Sequence, residues 1–158
     1  MNQRWSLPAN GIVLFQGDSI TENWRRQEDG LDLGIGYAQV IAAQFGYKHP
    51  DNKAIFLNRD VGGDRVIELT RRWQKDCHDL KATLVSIFVG INDTWRRYDE
   101  NNPLRTEQFY TLYRDLLTVT KDQLNVIIVL VEPFLLPVRE EQRTWRRIWT
   151  RRSRLYAS

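Results

Sequence analysis

Four short runs of apolar residues are separated along the chain by longer segments in which apolar residues recur every three or four positions. The short runs predict buried β-strands at residues 11–16, 54–58, 84–89 and 126–131. The spaced segments predict helices at residues 36–45, 64–77 and 106–123. Strands that are apolar on both faces and alternate with helices are typical of a parallel sheet covered on both sides. The pattern therefore predicts a single α/β domain.

The helix predicted at residues 36–45 contains Tyr37, Val40, Ile41 and Gln44 at helical spacing. Gly46 follows directly and is expected to end this helix, because glycine readily adopts the left-handed conformation that closes many helices.

Composition narrows the class of protein. The 158 residues are 42% hydrophobic and include six each of Trp, Tyr and Phe, which suits one domain with a sizeable core. The single cysteine, Cys77, excludes an internal disulfide framework, and the sequence has no metal-ligand cluster, so neither a metal nor a cofactor is expected. No apolar run reaches membrane-spanning length, and residues 1–10 lack a signal-peptide core. We therefore expect a soluble, cytoplasmic protein with no membrane partner.

The net charge of +3 is unevenly distributed. Residues 139–158 carry seven Arg and two Glu, which leaves 16 basic and 18 acidic residues in the rest of the chain. The body of the protein is slightly acidic, and the basic pI of about 9.2 comes from the C-terminal segment. Because the body has no basic face, no nucleic-acid partner is expected.

Small polar residues follow three successive predicted strands. The motif Gly17-Asp18-Ser19-Ile20-Thr21 comes after the first, a loop at residues 58–64 that contains two adjacent glycines comes after the second, and Gly90-Ile91-Asn92-Asp93 comes after the third. Because the carboxyl ends of parallel strands meet at one edge of a sheet, binding and catalytic sites form there. The three motifs are therefore expected to lie together.

The chemistry that fits these residues is acyl transfer. A serine that leaves a strand through a tight turn exposes its hydroxyl as a nucleophile, which makes Ser19 the candidate. The backbone N–H groups of Ser19 and Gly63 and the side-chain amide of Asn92 are candidate donors of an oxyanion hole. Taken singly, each motif has an ordinary alternative: a common turn, a glycine hinge and a helix cap. Their joint occurrence favours the catalytic interpretation.

These motifs resemble the first three sequence blocks of the SGNH (GDSL-type) hydrolases. The similarity extends from about residue 9 to residue 145 and is nearest to the bacterial branch that contains acetyl-xylan esterases. It implies a flavodoxin-like three-layer α/β/α fold and hydrolysis of a small acyl ester, such as an acetylated carbohydrate. It also implies that Ser19 is the nucleophile, that Gly63 and Asn92 complete the oxyanion hole, and that Asp18 and Asp93 support them.

The sequence departs from this family in two places. The family's Asp-x-x-His block, which supplies the general base, is absent from this chain. Only two histidines occur, His49 and His78, and both precede predicted strands, so they are expected at the edge opposite Ser19 as surface residues. Asp60 stands where many relatives have a small residue. An inward carboxylate there would oppose the transition-state charge, whereas an outward one would be harmless.

The missing block leaves more than one interpretation of function. The leading one is a serine ester hydrolase whose activity is reduced because no histidine deprotonates Ser19. The second is a non-catalytic remnant or binding module that keeps the pocket without the chemistry. A nucleotide-binding domain is disfavoured, because no phosphate-binding glycine loop follows the first strand.

The last part of the chain differs in character from the rest. Residues 146–158 contain five Arg and no acidic residue, so we interpret residues 1–145 as an incomplete hydrolase domain and residues 146–158 as a basic tail. A shift of reading frame near residue 146 and a natural short protein are the two explanations. A sheet lacking its last strand and helix exposes apolar surface, so a poorly soluble chain or a homo-oligomer is expected.

Trp95, Arg96, Arg97 and Tyr98 follow the Asn92-Asp93 pair directly. Their position makes them candidates to line the mouth of the substrate site. The alternative is a packed loop with no contact to substrate.

Overall fold

A computed structural model describes residues 6–134, 136 and 138–145 of the chain. Within these residues, four strands form one parallel sheet in the order β2-β1-β3-β4. The strands are β1 Ile12–Gly17, β2 Ile55–Asn58, β3 Leu84–Phe88 and β4 Ile127–Leu130. The helices are α1 Ser19–Glu22, α2 Tyr37–Lys48, α3 Val66–Asp76, α4 Ile91–Trp95 and α5 Thr106–Gln123, with short 3-10 helices at His78–Leu80 and Glu140–Trp145. The predictions for residues 146–158 lie outside the described residues.

The predicted α/β architecture is confirmed, and each predicted strand is present with bounds that differ by no more than one residue at either end. The register explains how the strand ends meet. Gly17 at the end of β1 lies opposite Phe88 at the end of β3, and Asn58 at the end of β2 lies opposite Phe15. The residues that follow β1, β2 and β3 therefore emerge at the same edge.

One face of the sheet carries the main core. Leu14, Leu57, Val85 and Ile87 of the strands are buried against α3 and α5. The two helices also contact each other, and buried residues of α3 and α5 join the same cluster; these are Val66, Leu69, Trp73, Phe109, Tyr113 and Leu116. The Trp73 indole N–H donates to Thr120 Oγ1 at 2.7 Å, which satisfies the polar atom of a buried ring.

The opposite face is covered less completely. There Val13 and Phe15 of β1 pack against Ala38 of α2 in a much smaller cluster. Beside them lies an apolar cavity of about 240 Å³ whose lining includes Ile41 of α2 and Val129 of β4. Val129 is exposed even though it is an apolar residue in an entirely apolar strand.

The helix α2 differs from its prediction at its C-terminal end. It continues to Lys48, so the expectation that Gly46 ends it is wrong; His49 forms the cap. Nothing crowds Gly46, and a glycine inside a helix costs only about 1 kcal/mol, which the rest of the helix tolerates. Val40 and Ile41 are 64% and 43% exposed, whereas Ala38 is fully buried. Helical spacing identified the helix but not its buried side, because the small Ala38 side chain lets α2 approach β1.

Candidate active site

Ser19 lies where the chain turns from β1 into α1. Gly17 ends the strand against the carbonyl oxygen of Phe88, which leaves no room for a side chain at this position. Asp18 caps α1, since its Oδ1 accepts a hydrogen bond from the Ile20 N–H at 3.0 Å. Ser19 is the first residue of α1 and is exposed. Its side chain therefore stands open to solvent at the carboxyl edge of the sheet.

The double-glycine loop after β2 contacts the serine turn. Gly63 has a φ of +84°, in the left-handed region that favours glycine. A Cβ placed on the neighbouring Gly62 would lie 3.7 Å from Ser19 Cβ and 2.6 Å from Glu22 Oε2. A Cβ at position 62 would displace the flexible Glu22 carboxylate and touch Ser19 at ordinary van der Waals distance, so the loop lies directly against α1.

Asn58 fixes this loop relative to α1. It is fully buried, and its Nδ2 donates to the carbonyl oxygens of Thr21 at 2.9 Å and Leu33 at 3.0 Å. Its Oδ1 accepts from the Asp60 N–H at 3.0 Å. From the sequence alone Asn58 is only the first residue of a loop, but in the fold its side chain joins three segments of the site.

Asn92 connects the third motif to the same loop. It lies on α4, is 3% exposed, and donates from Nδ2 to the carbonyl oxygen of Asp64 at 3.0 Å. An amide nitrogen carries two hydrogens, so one remains for a ligand. The next residue, Asp93, is buried and accepts from the Val66 N–H at 3.2 Å, where α3 begins. Ser19, Gly63 and Asn92 thus lie at one edge of the sheet. The residues on either side of Gly63 link them, since Gly62 lies beside Ser19 and the Asp64 carbonyl oxygen accepts from Asn92.

Two buried carboxyl groups lie beneath the serine turn. Asp18 and Asp60 are both fully buried, and Asp60 Oδ1 lies 2.9 Å from where a Cβ on Gly17 would be. The Asp60 side chain therefore takes the inward orientation of the two considered from the sequence. Burial raises the pKa of Asp18 to about 6, and it raises the pKa of Asp60 well above its usual value. The shift favours the neutral acid at Asp60, which reduces the negative charge near the proposed oxyanion hole.

Two arginines that the sequence analysis did not single out surround these acids. Arg25 is 8% exposed and donates from Nη2 to the carbonyl oxygen of Asp60 at 2.7 Å. Arg72 of α3 donates from Nε to Asp64 Oδ2 at 2.7 Å and from Nη1 to Gln16 Oε1 at 2.9 Å. No motif marks either residue, and Arg72 stands in a polar stretch of α3 that suits an exposed helix face. Only the fold shows that it turns under the site.

Both histidines lie at the amino edge of the sheet. His49 follows α2 and is exposed, with its ring 4.7 Å from that of Phe45. His78, in the 3-10 helix before β3, is 7% exposed, so the expectation that it is a surface residue is wrong. The turn after α3 directs its ring into the groove between α3 and α5, where Nδ1 lies 3.2 Å from Gln74 Oε1. Because Ser19 stands at the carboxyl edge, neither histidine is placed to deprotonate it.

Arg96 lies next to the glycine loop. Its Nη2 is 3.2 Å from the position that a Cβ on Gly63 would take. Its Nη1 donates to Asp99 Oδ2 at 2.6 Å and pairs with Glu100 Oε1 at 3.3 Å. Arg97 beside it is half-buried. One of the four candidates for the substrate mouth thus approaches the proposed oxyanion hole directly.

The two aromatic candidates line a cavity of about 730 Å³, the aromatic pocket, whose walls include Trp95, Tyr98, Asp99, Glu141, Thr144 and Trp145. Tyr98 stacks on Trp145 with ring centroids 4.8 Å apart and planes at 12°. Trp95 meets Trp145 edge to face at 6.0 Å. Trp145 was not among the sequence candidates, because nothing in the local sequence places it against residues almost fifty positions earlier.

Two other kinds of site are absent from the part of the chain that the structure describes. No group of three or more His, Cys, Asp or Glu side chains is arranged there to hold a metal ion. None of the helices in the same residues combines the length and apolar character needed to cross a membrane.

Comparison with known proteins agrees with this fold. A profile of the GDSL-like Lipase/Acylhydrolase family matches residues 15–158. The chain belongs to this family. The acetylxylan esterase of Geobacillus stearothermophilus is 31% identical over 137 residues, which cover 82% of this chain and 62% of that protein. The chain therefore spans less than two thirds of the length of this GDSL relative.

Solved structures of the GDSL family share the fold. A structure described as that of a GDSL-like lipase from Parabacteroides merdae has a TM-score of 0.89 and 29% identity, and the match covers 95% of this chain and 72% of that one. A variant of Axe2, an acetyl xylan esterase from Geobacillus stearothermophilus, has a TM-score of 0.84 and 29% identity, with 94% and 71% covered. Two further Axe2 structures are of catalytic mutants. A histidine is replaced by alanine in one, and an aspartate three positions before it is replaced by alanine in the other.

Proposed function

We propose that this chain is a serine ester hydrolase that acts on acetylated carbohydrate, with Ser19 as its nucleophile. Membership of the GDSL-like family supports ester hydrolysis, and the similarity to an acetylxylan esterase supports an acetyl group carried on a sugar. The observation that carries the proposal is the placement of an exposed Ser19 against the loop of Gly63, which is itself tied to Asn92.

In the first chemical step, Ser19 Oγ attacks the carbonyl carbon of the ester. The carbonyl oxygen becomes negatively charged as the new bond forms. The backbone N–H groups of Ser19 and Gly63 and the second hydrogen of Asn92 Nδ2 would hold it. Removing one such donor typically lowers a rate by about 10²–10³.

In the second half of the reaction, the bond to the sugar oxygen breaks and the sugar leaves with a proton. Ser19 then carries the acetyl group as an ester, which water hydrolyses to acetate. Asp18 supports this cycle by capping α1 and so fixing the serine turn, and Asp93 supports it by holding α4 against the start of α3.

The absence of a histidine at the carboxyl edge slows both halves of the reaction, the attack by Ser19 and the later attack by water that releases acetate. Because His49 and His78 lie at the opposite edge, the hydroxyl proton passes to solvent and the serine is poorly activated. The oxyanion hole would still stabilise the transition state of the attack by the Ser19 hydroxyl. We therefore expect slow but measurable turnover.

The proposal is tested by the rate of p-nitrophenyl acetate hydrolysis by the parent chain, by Ser19→Ala and by the matched control Ser6→Ala. Ser6 is exposed and lies before β1. Turnover is expected in the parent and in Ser6→Ala and is expected to vanish in Ser19→Ala. Equal rates in all three proteins would show that Ser19 performs no chemistry.

A binding module that keeps the pocket without the chemistry is the second candidate function. The placement of both histidines at the amino edge favours it. This candidate is selected if Ser19→Ala matches the parent in turnover and yet both proteins bind an acetylated oligosaccharide.

A further inference from the structure

The aromatic pocket adjoins the proposed oxyanion hole through one ion pair. Arg96 presents Nη2 to Gly63, and its Nη1 binds Asp99 Oδ2 at 2.6 Å. Asp99 is in turn part of the pocket wall. The Arg96 side chain would therefore lie between a ligand in the pocket and an ester carbonyl held at Gly63.

The walls of this pocket combine aromatic rings with polar side chains. Trp95 and Tyr98 are 38% and 39% exposed although each packs against Trp145, so part of each ring faces the cavity. Asp99 and Glu141 contribute carboxylates to the same walls. Aromatic surfaces bind apolar ring faces, and carboxylates accept hydrogen bonds from hydroxyl groups.

The wall of the pocket formed by residues 138–145 is held in place by its own hydrogen bonds. Gln142 is 8% exposed, and its Oε1 accepts from the N–H groups of Val138 at 2.9 Å and Arg139 at 3.0 Å. Thr144 Oγ1 donates to the carbonyl oxygen of Glu141 at 2.7 Å. These bonds close the turn that presents Trp145 and Glu141, so the pocket is formed before a ligand arrives.

We infer that the aromatic pocket is a subsite for the pyranose rings of a carbohydrate ester. A pyranose ring has C–H faces that stack on Trp and Tyr, and hydroxyl groups around its rim that reach carboxylates. A long acyl chain would need an apolar site, and the most apolar cavity described lies instead on the α2 face of the sheet. The inference rests on the proposed function, because it assigns the sugar side of the ester whose carbonyl Gly63 would hold.

The test is binding of xylotetraose, followed by calorimetry, to the parent, Tyr98→Ala and the matched control Tyr110→Ala. Tyr110 is 40% exposed but lies on α5, outside the pocket. Loss of one aromatic contact is expected to weaken binding by about three- to tenfold in Tyr98→Ala. Tyr110→Ala is expected to bind like the parent. Unchanged binding in Tyr98→Ala, or absence of binding to the parent, would overturn the inference.

A second variant covers the case in which Tyr98→Ala fails to fold, since Tyr98 packs on Trp145. Glu141→Ala removes an exposed carboxylate from the pocket wall and is expected to weaken xylotetraose binding several-fold while leaving thermal stability unchanged. Equal binding by Glu141→Ala and the parent would count against the subsite.

Activity separates this inference from the proposed function. Hydrolysis of p-nitrophenyl acetate, which has no sugar, is expected to be unchanged in the control Tyr110→Ala and to fall in Tyr98→Ala and Glu141→Ala by less than their binding of xylotetraose. Ser19→Ala is expected to bind xylotetraose like the parent while losing hydrolysis. Hydrolysis without xylotetraose binding would refute the subsite alone, and binding without Ser19-dependent hydrolysis would refute the proposed function alone.

Discussion

Two buried regions of this molecule are built in opposite ways. Between the sheet and the pair α3 and α5, apolar side chains such as Phe109 and Leu69 fill the interior, and the polar atoms of Trp73 and Thr120 satisfy each other. Beneath Ser19, the interior instead contains titratable side chains; this polar cluster consists of Asp18, Arg25, Asp60, Asp64 and Arg72.

The polar cluster is not fully satisfied. Asp18 Oδ2 and both carboxyl oxygens of Asp60 have no hydrogen-bond partner among the residues the structure describes. Buried polar groups without partners are rare and costly, and they concentrate at functional sites. The contrast teaches that stability comes from the α3–α5 face, while the carboxyl edge gives up stability to hold charged groups under the nucleophile.

The largest effect is expected from the apolar core. Phe109 on α5 is fully buried, so Phe109→Ala is expected to lower the free energy of unfolding by about 3–5 kcal/mol, because it removes buried contacts and leaves a cavity. Val119 on the same helix is 41% exposed, and Val119→Ala serves as the control with a change within about 0.5 kcal/mol. Urea unfolding measures both. Similar midpoints for the two variants would contradict the assignment of the core to this face.

The next effect concerns the rate. Asn92→Ala removes a proposed oxyanion donor and is expected to lower p-nitrophenyl acetate turnover by about 10²–10³. Asn125→Ala, an exposed change at the amino edge, is the matched control and is expected to leave the rate unchanged. Asn92 also donates to the Asp64 carbonyl oxygen, so the substitution could unfold the site. Thermal unfolding of the variant is therefore measured in parallel to show that it is folded. A folded Asn92→Ala that turns over like the parent would remove Asn92 from the proposed mechanism.

A smaller, pH-dependent effect is expected at the polar cluster. The pKa of Asp18 is raised from 3.8 to about 6, so between these values the folded state binds more protons than the unfolded state. Stability is therefore lost as the pH rises from about 4 to about 6, by up to about 3 kcal/mol. Asp18→Asn keeps an oxygen to cap α1 and has no charge to bury.

Asp18→Asn is accordingly expected to match the parent at pH 4 and to be more stable at pH 7.5. Urea unfolding of both proteins at several pH values checks this. A variant that is less stable than the parent at pH 7.5, or a difference that does not change with pH, would show that burial does not penalise the Asp18 charge.

The smallest effect is expected on the exposed face of α2. Val40 is 64% exposed, so Val40→Ser is expected to change the free energy of unfolding by no more than about 0.5 kcal/mol. A loss similar to that of Phe109→Ala would mean that Val40 packs against the sheet.

The elements predicted from sequence are those with strong local signals. Each strand is a largely apolar run, and α5 repeats its apolar residues over five turns, so pattern alone located them. The three motifs were found because each follows a strand directly. The features that could not be predicted depend on contacts between distant segments. The buried side of α2 and the burial of His78 are set by how helices pack, which spacing does not encode.

The electrostatics of the site could not be predicted for the same reason. An aspartate after β2 can point outward or inward, and only the close contact of Asp60 with Gly17 shows that it points inward. Arg25 and Trp145 lie far along the chain from the groups that they contact, and no local pattern distinguishes them from surface residues.

The central claim is that Ser19 forms an acyl-enzyme. It is tested most directly by mixing the chain with p-nitrophenyl acetate, quenching in acid and locating acetyl groups by peptide mass spectrometry. The account predicts one acetyl group on the peptide that contains Ser19, formed with release of p-nitrophenolate and absent from Ser19→Ala. Acetylation confined to lysines or to other hydroxyls, at equal levels in both proteins, would contradict it.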